Sequence, residues 1–72
     1  MPLIMASENI LYKISRIKGN DEVLTRLKNL GFVVDAPITI LQKTDGGLIV
    51  KLFDARLALD VKLASKIEVS EV

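Results

Sequence analysis

The side chains able to do chemistry in this 72-residue chain are four serines (Ser7, Ser15, Ser65, Ser70), one tyrosine and nine carboxylates, with no histidine and no cysteine beside them. A serine nucleophile needs a base. The commonest one is missing, and only Lys66, next to Ser65, could stand in. Adjacent residues on an extended strand face opposite ways, and no oxyanion motif accompanies this pair, so no catalytic residue is expected. The missing cysteines also remove disulfides, thiol nucleophiles and thiolate metal sites. The missing histidines remove the imidazole ligand and the usual pH switch. A metal would have to rest on carboxylates, carbonyls and water, a donor set suited to hard cations. Asp54 and Asp60 flank a predicted strand, Asp45 lies in a glycine turn and Asp21-Glu22 begin a helix. Each has a structural explanation as turn former, edge charge or helix-start residue, so neither a metal site nor a cofactor is expected.

These residues by themselves name no function, and what they leave to weigh is the charge and apolarity of the surface. Ten basic and nine acidic residues leave a net charge of +1, with no bulk attraction to nucleic acid or anionic membrane. Half of the residues are hydrophobic but only three are aromatic, Tyr12, Phe32 and Phe53, so the core must be aliphatic. The apolar content reads either as a dense core compensating for small size or as a surplus left for a partner, and the first is favoured. No run approaches the roughly 20 apolar residues of a membrane span. Met1–Met5 is too short for a signal-peptide core and lacks a basic flank, so a cytoplasmic protein is expected, without membrane insertion.

The elements that position this surface follow from periodicity. Residues 1–9 read as a weakly specified lead-in ending in a Ser7-Glu8-Asn9 turn. Ile10–Ile17 is strand-like, with Ile10, Tyr12 and Ile14 on one parity. Ile17 falls on the other, which calls for a bulge near Ser15-Arg16. Asn20–Phe32 reads as one capped amphipathic helix. Asn20 is its N-cap, Asp21 and Glu22 suit the dipole, Glu22 and Arg26 are spaced for an ion pair, Val23, Leu24, Leu27 and Leu30 make its apolar stripe, and Gly31 ends it.

Ile38–Lys43 and Leu48–Phe53 form a predicted hairpin about Thr44-Asp45-Gly46-Gly47, whose glycines are expected to supply positive φ. Leu41 breaks the first strand's alternation and is a candidate exposed residue. Asp54-Ala55 reads as a second tight turn, and Arg56–Asp60 alternates with Leu57 and Leu59 inward. Val61–Lys66 fits one helical turn, and Ile67–Val69 a last strand. The order is a mainly β fold of about five strands with one α-helix between the first two, a small, nearly closed barrel in a single domain spanning residues 1–72.

The series Ile14, Arg16-Ile17, Gly19, Leu24, Arg26-Leu27, Leu30-Gly31-Phe32, Ile38, Ile40, Arg56-Leu57-Ala58-Leu59, Ala64 and Ile67-Glu68-Val69 resembles the ferrous iron transport protein A (FeoA) family over residues 10–69. The resemblance implies an SH3-like barrel, related also to the C-terminal module of iron-dependent repressors. It implies a small accessory protein that docks on the cytosolic part of a membrane ferrous iron transporter carrying a GTPase domain. The chain departs from the family at turns: Val34-Asp35 and Ser7-Glu8-Asn9 replace its Pro-Gly pairs, and Asp54-Ala55 stands before the R-L-x-L motif. Partner-binding candidates are Leu41, Ile49, Phe53 and Arg56, with Arg26 and Lys28 on the helix's polar side. A homo-oligomer is compatible with the apolar surplus. The alternative, a small-barrel nucleic-acid-binding module, is disfavoured by balanced charge and few aromatic platforms.

Overall fold

The computed structural model describes residues 1–72. Its five strands are β1 Leu11–Ile17, β2 Pro37–Thr44, β3 Gly47–Leu52, β4 Ala55–Asp60 and β5 Ile67–Glu71. Helix α1, Asp21–Asn29, joins β1 to β2, and the single turn α2, Val61–Ala64, joins β4 to β5. All pairs are antiparallel, in the order β4-β3-β2-β1-β5. Alternation along the strands sends Tyr12, Ile14, Ile38, Ile40, Leu48, Val50, Leu52, Leu59, Ile67 and Val69 into one aliphatic core.

Two bulges curve this sheet into a barrel. The β1–β5 register shifts between Ile14 and Arg16, which returns Ile17 to the edge of the core as its parity required. A second shift, between Ile40 and Gln42, lies in β2. Ile10, expected inward, is instead exposed just ahead of β1, because Asn9 turns the chain in a left-handed conformation (φ 62°).

Helix α1 is built as its caps dictate. The Asn20 side chain accepts from the Val23 N–H at 2.9 Å. At the other end the Phe32 N–H donates to the Leu27 carbonyl and the Gly31 N–H to the Lys28 carbonyl, a Schellman motif with Gly31 at φ 100°. Leu27 and Phe32, the residues such a motif brings together, are both fully buried. Val23 packs against the core from the half-buried flank, but Leu30 at the C-cap is 46% exposed, so the apolar stripe ends one turn earlier than its spacing suggests. The Glu22–Arg26 pair does not form. The sole ion pair joins Lys18 to Glu68 at 2.7 Å, where β1 ends beside β5.

Three further positions differ from expectation. The lead-in is a structural element: a 3-10 turn at Leu3–Met5 buries Leu3 and Ala6, while the Met1 amine donates to the Val69 carbonyl and the Val69 N–H to the Met1 carbonyl. The second hairpin turns on Phe53-Asp54 rather than Asp54-Ala55, since Leu52 and Ala55 already pair. Neither Gly46 nor Gly47 takes a positive φ. Gly47 is required for close approach instead, because a Cβ there would run into the Leu59 carbonyl oxygen.

Gly47→Ala is therefore expected to lower stability by about 2 kcal/mol or more. Gly46→Ala meets nothing within 4 Å and is expected to change it by no more than about 0.5 kcal/mol. Equal denaturant midpoints for the two variants would contradict the close-approach role. A second expectation concerns acid. The hydrogen bond from Lys18 holds the Glu68 carboxyl below its ordinary range, reinforced by the Lys18 and Arg16 charges, with desolvation opposing. A lowered native pKa means that the pair's contribution is present above the ordinary carboxylate range and fades as pH falls through the native value. NMR titration of Lys18→Gln should bring Glu68 back upward; an unchanged midpoint would rule Lys18 out as the cause.

Candidate functional site

No catalytic constellation is assembled by the fold. The Ser65 hydroxyl donates to the Lys62 carbonyl at 2.6 Å, closing the end of α2, and Lys66 begins the run into β5. No three of the Asp and Glu side chains converge on a point where a metal ion could be held. Asp60 caps α2, accepting from the Leu63 N–H at 2.7 Å, and Glu8 accepts from the Lys43 N–H at 2.7 Å. No polar side chain is buried, and the surface has no pocket.

The six sequence-derived contact candidates fall into three places. In β3 the alternate residues Leu48, Val50 and Leu52 are buried, so Ile49 and Lys51 face outward. Cross-strand pairing sets Ala58 opposite Ile49 and Arg56 opposite Lys51. The β2 bulge sets Leu41 and Gln42 against Ile49. Leu41, Ile49 and Arg56 thus share the outer face of the β2-β3-β4 sheet, but Leu41 and Ile49 are only half-exposed, which leaves Arg56 as the exposed member. Arg26 and Lys28 are exposed on α1, away from this face.

Phe53 occupies a third place. It is 56% exposed at the tip of the β3–β4 hairpin, with φ at 54°. Left-handed backbone, also found at Asn9 and Asp35, is tolerated by short polar residue types but is unusual for a bulky aromatic. Ile38 pairs with Leu52, so the connector entering β2 and the turn leaving β3 lie at the same end of the barrel. A Cβ on Gly31 would come within 3.3 Å of the Leu52 side chain, which places the α1 C-terminus there too. Leu30 (46% exposed), Val33 (39%) and Val34 (56%) therefore share this end with Phe53. Periodicity places Leu30 in the helix stripe, while the loop after Gly31, where Val34-Asp35 replaces the family's turn residues, is where the sequence points for partner specificity. The signal available was the pair Val33-Val34, two β-branched residues in a segment too short to be a strand.

A family model for the FeoA domain matches residues 1–71. Among solved structures, the chain is similar to an iron uptake regulatory protein (FeoA), with 23% identity, 96% of this chain and 93% of that one covered, and a TM-score of 0.87. It is also similar to Stenotrophomonas maltophilia FeoA complexed with zinc, put forward as an SH3-domain ferrous iron transport activating factor, with 24% identity, coverage of 97% and 89%, and a TM-score of 0.82. A manganese-dependent transcriptional repressor superposes with a TM-score of 0.92 at 19% identity; all of this chain is covered but only 41% of the repressor. These neighbours establish the SH3-like fold. No curated protein sequence matches the chain.

Phe53 can be tested for strain by itself. Asn tolerates left-handed backbone, so Phe53→Asn is expected to raise stability by about 0.5–1 kcal/mol. A loss of stability in denaturant unfolding would show that the ring packs on the barrel and is not a free surface group.

Proposed function

The chain belongs to the FeoA domain family, and on that premise we propose that it is a small cytosolic accessory protein of ferrous iron uptake, docking on the cytosolic, GTPase-bearing part of a membrane ferrous iron transporter. The observation that carries this reading is Phe53, a large aromatic held in solvent on unfavourable backbone. Strain of this kind persists where it serves recognition. Leu30, Val33 and Val34 extend the apolar surface around it, and Lys28, near the α1 C-terminus, supplies a polar rim. An aromatic anchor inside such a rim is the arrangement that concentrates binding energy at protein interfaces. Iron is the cargo of the partner. In this reading the chain contributes contact surface; none of its helices is long and apolar enough to cross a membrane.

The test is binding of the purified transporter cytosolic region to immobilised protein. Wild type should capture it, and Phe53→Asn should weaken capture by roughly 10- to 100-fold, the loss of one well-buried aromatic contact of about 1.5–3 kcal/mol. Val34→Ser should weaken it less, and Lys43→Gln, at the opposite end of β2, should leave it unchanged. Wild-type capture no stronger than that of an unrelated small barrel would end the docking reading.

A further inference from the structure

The two edges of the sheet are treated differently by the fold. The outer edge of β5 is covered by the N-terminus: Pro2 bridges to Glu68, and Met1 exchanges two backbone hydrogen bonds with Val69. The outer edge of β4 is not covered. From Ala55 to Leu59 no backbone group bonds to anything except β3.

Which groups are left over follows from the register. The Val61 N–H donates to the Gly46 carbonyl, which makes Gly47 and Asp60 a non-hydrogen-bonded pair. Alternation then makes Ile49–Ala58 and Lys51–Arg56 non-hydrogen-bonded as well. The backbone N–H groups of Arg56, Ala58 and Asp60 therefore point away from β3, as do the carbonyls of Arg56 and Ala58. This is an open template for another strand.

We infer that the occupant of this edge is a second copy of the same chain, its β4 antiparallel to the first about a two-fold axis at Ala58. In that register Ala58 meets Ala58 of the other copy, Arg56 meets its Asp60, and Leu57 meets its Leu59. The outward-pointing residues of each strand face the outward-pointing residues of the other, so Ala58–Ala58 and Arg56–Asp60 are the hydrogen-bonded pairs. Charge selects this register over its neighbours: a slip of two residues sets Arg56 against Ala58 and leaves both charges without a partner. Neither Arg56 nor Asp60 has an ion pair within the monomer, and the Asp60 cap on α2 uses only Oδ1, leaving Oδ2 for the arginine. The smallest side chain of the strand's exposed face, Ala58, sits on the axis, so its two copies meet there without crowding. Leu57, half-buried in the monomer, is covered. Two five-stranded sheets become one, and the contact is isologous and closed, so it stops at the dimer.

Sedimentation of the full chain across a wide concentration range tests this without any transporter present, so it stands or falls separately from docking. A monomer–dimer equilibrium is expected. Arg56→Glu, which faces like charge with like, should weaken it at least 10-fold, and Asp60→Asn, which keeps the α2 cap, should weaken it less. Ala58→Pro should abolish it, because the N–H it removes points outward and an edge strand tolerates proline there. Since the chain has no cysteine, a nitroxide on Ala58→Cys reports the axis directly. Cβ atoms about 5 Å apart across the pair would give strong dipolar broadening in the dimer, whereas a label on Arg26→Cys would give little. A monomer at every concentration, or a dimer that survives Arg56→Glu with a sharp Ala58 spectrum, would overturn the inference. Circular dichroism separates unfolding from dissociation, and the charge variants decide the outcome should the proline variant fail to fold.

Discussion

Strand β1 hydrogen-bonds on both sides at once, and the geometry of the whole barrel hangs on that. Its first half pairs with β2 through Leu11, Tyr12 and Lys13, while β5 runs along it from Tyr12 to Ile17. Where β2 has diverged, the connector takes its place: the Ile14 N–H donates to the Ala36 carbonyl and the Asp35 N–H to the Ile14 carbonyl. The positive φ at Asp35 is what lets the connector make that contact and still feed Pro37 into β2. A slip of one residue in β1 would turn Tyr12 and Ile14 outward together, so the register is held by the two most buried positions of the strand.

Features that repeat are the ones the chain displays openly. The period-2 pattern of β3 and β4, the caps of α1 and the parity break at Ile17 each rest on several residues agreeing, and they lead to the observed elements. Features that depend on one residue meeting a distant one are hidden. Leu3 and Ala6 are buried in a segment too short to have a period, held by hydrogen bonds to Val69 at the far end of the chain. Gly47 looks like a turn glycine beside Gly46, yet its reason for being glycine is the carbonyl of Leu59 on the neighbouring strand. The turn at Phe53-Asp54 is misplaced by one residue in a reading from residue types, because bulky aromatics so seldom take the left-handed conformation. The candidate site divides in the same way: Arg56 and Phe53 were visible as outward residues, whereas the placing of Leu30, Val33 and Val34 beside Phe53 is a consequence of topology.

With no buried polar side chain and no pocket, the interior is committed to stability. A domain of this size buries only about 60% of the surface its unfolded chain exposes, so it has little core to spare for a ligand cavity. Strand connections and an open strand edge reach solvent at two places. The two such places differ in kind. The barrel end offers apolar side chains on loops, whose contribution scales with area removed from water. The β4 edge offers backbone donors and acceptors in a fixed row, flanked by one positive and one negative side chain, where alignment decides the strength of the contact.

These surfaces are compatible in one assembly. Phe53 lies five residues from Ala58 along the hairpin, about 16 Å from the proposed axis at the rise of a strand. In an antiparallel pairing the two Phe53 turns project on opposite sides of that axis, about 33 Å apart. Neither copy's barrel end is covered by the joining of the β4 edges, because the strand-to-strand contact ends at Asp60, where α2 begins. A dimer of this form would present two apolar barrel ends to its surroundings at once. A partner that is itself oligomeric would then bind the second end at an effective concentration set by that spacing, so modest affinity at each end could add up to firm attachment.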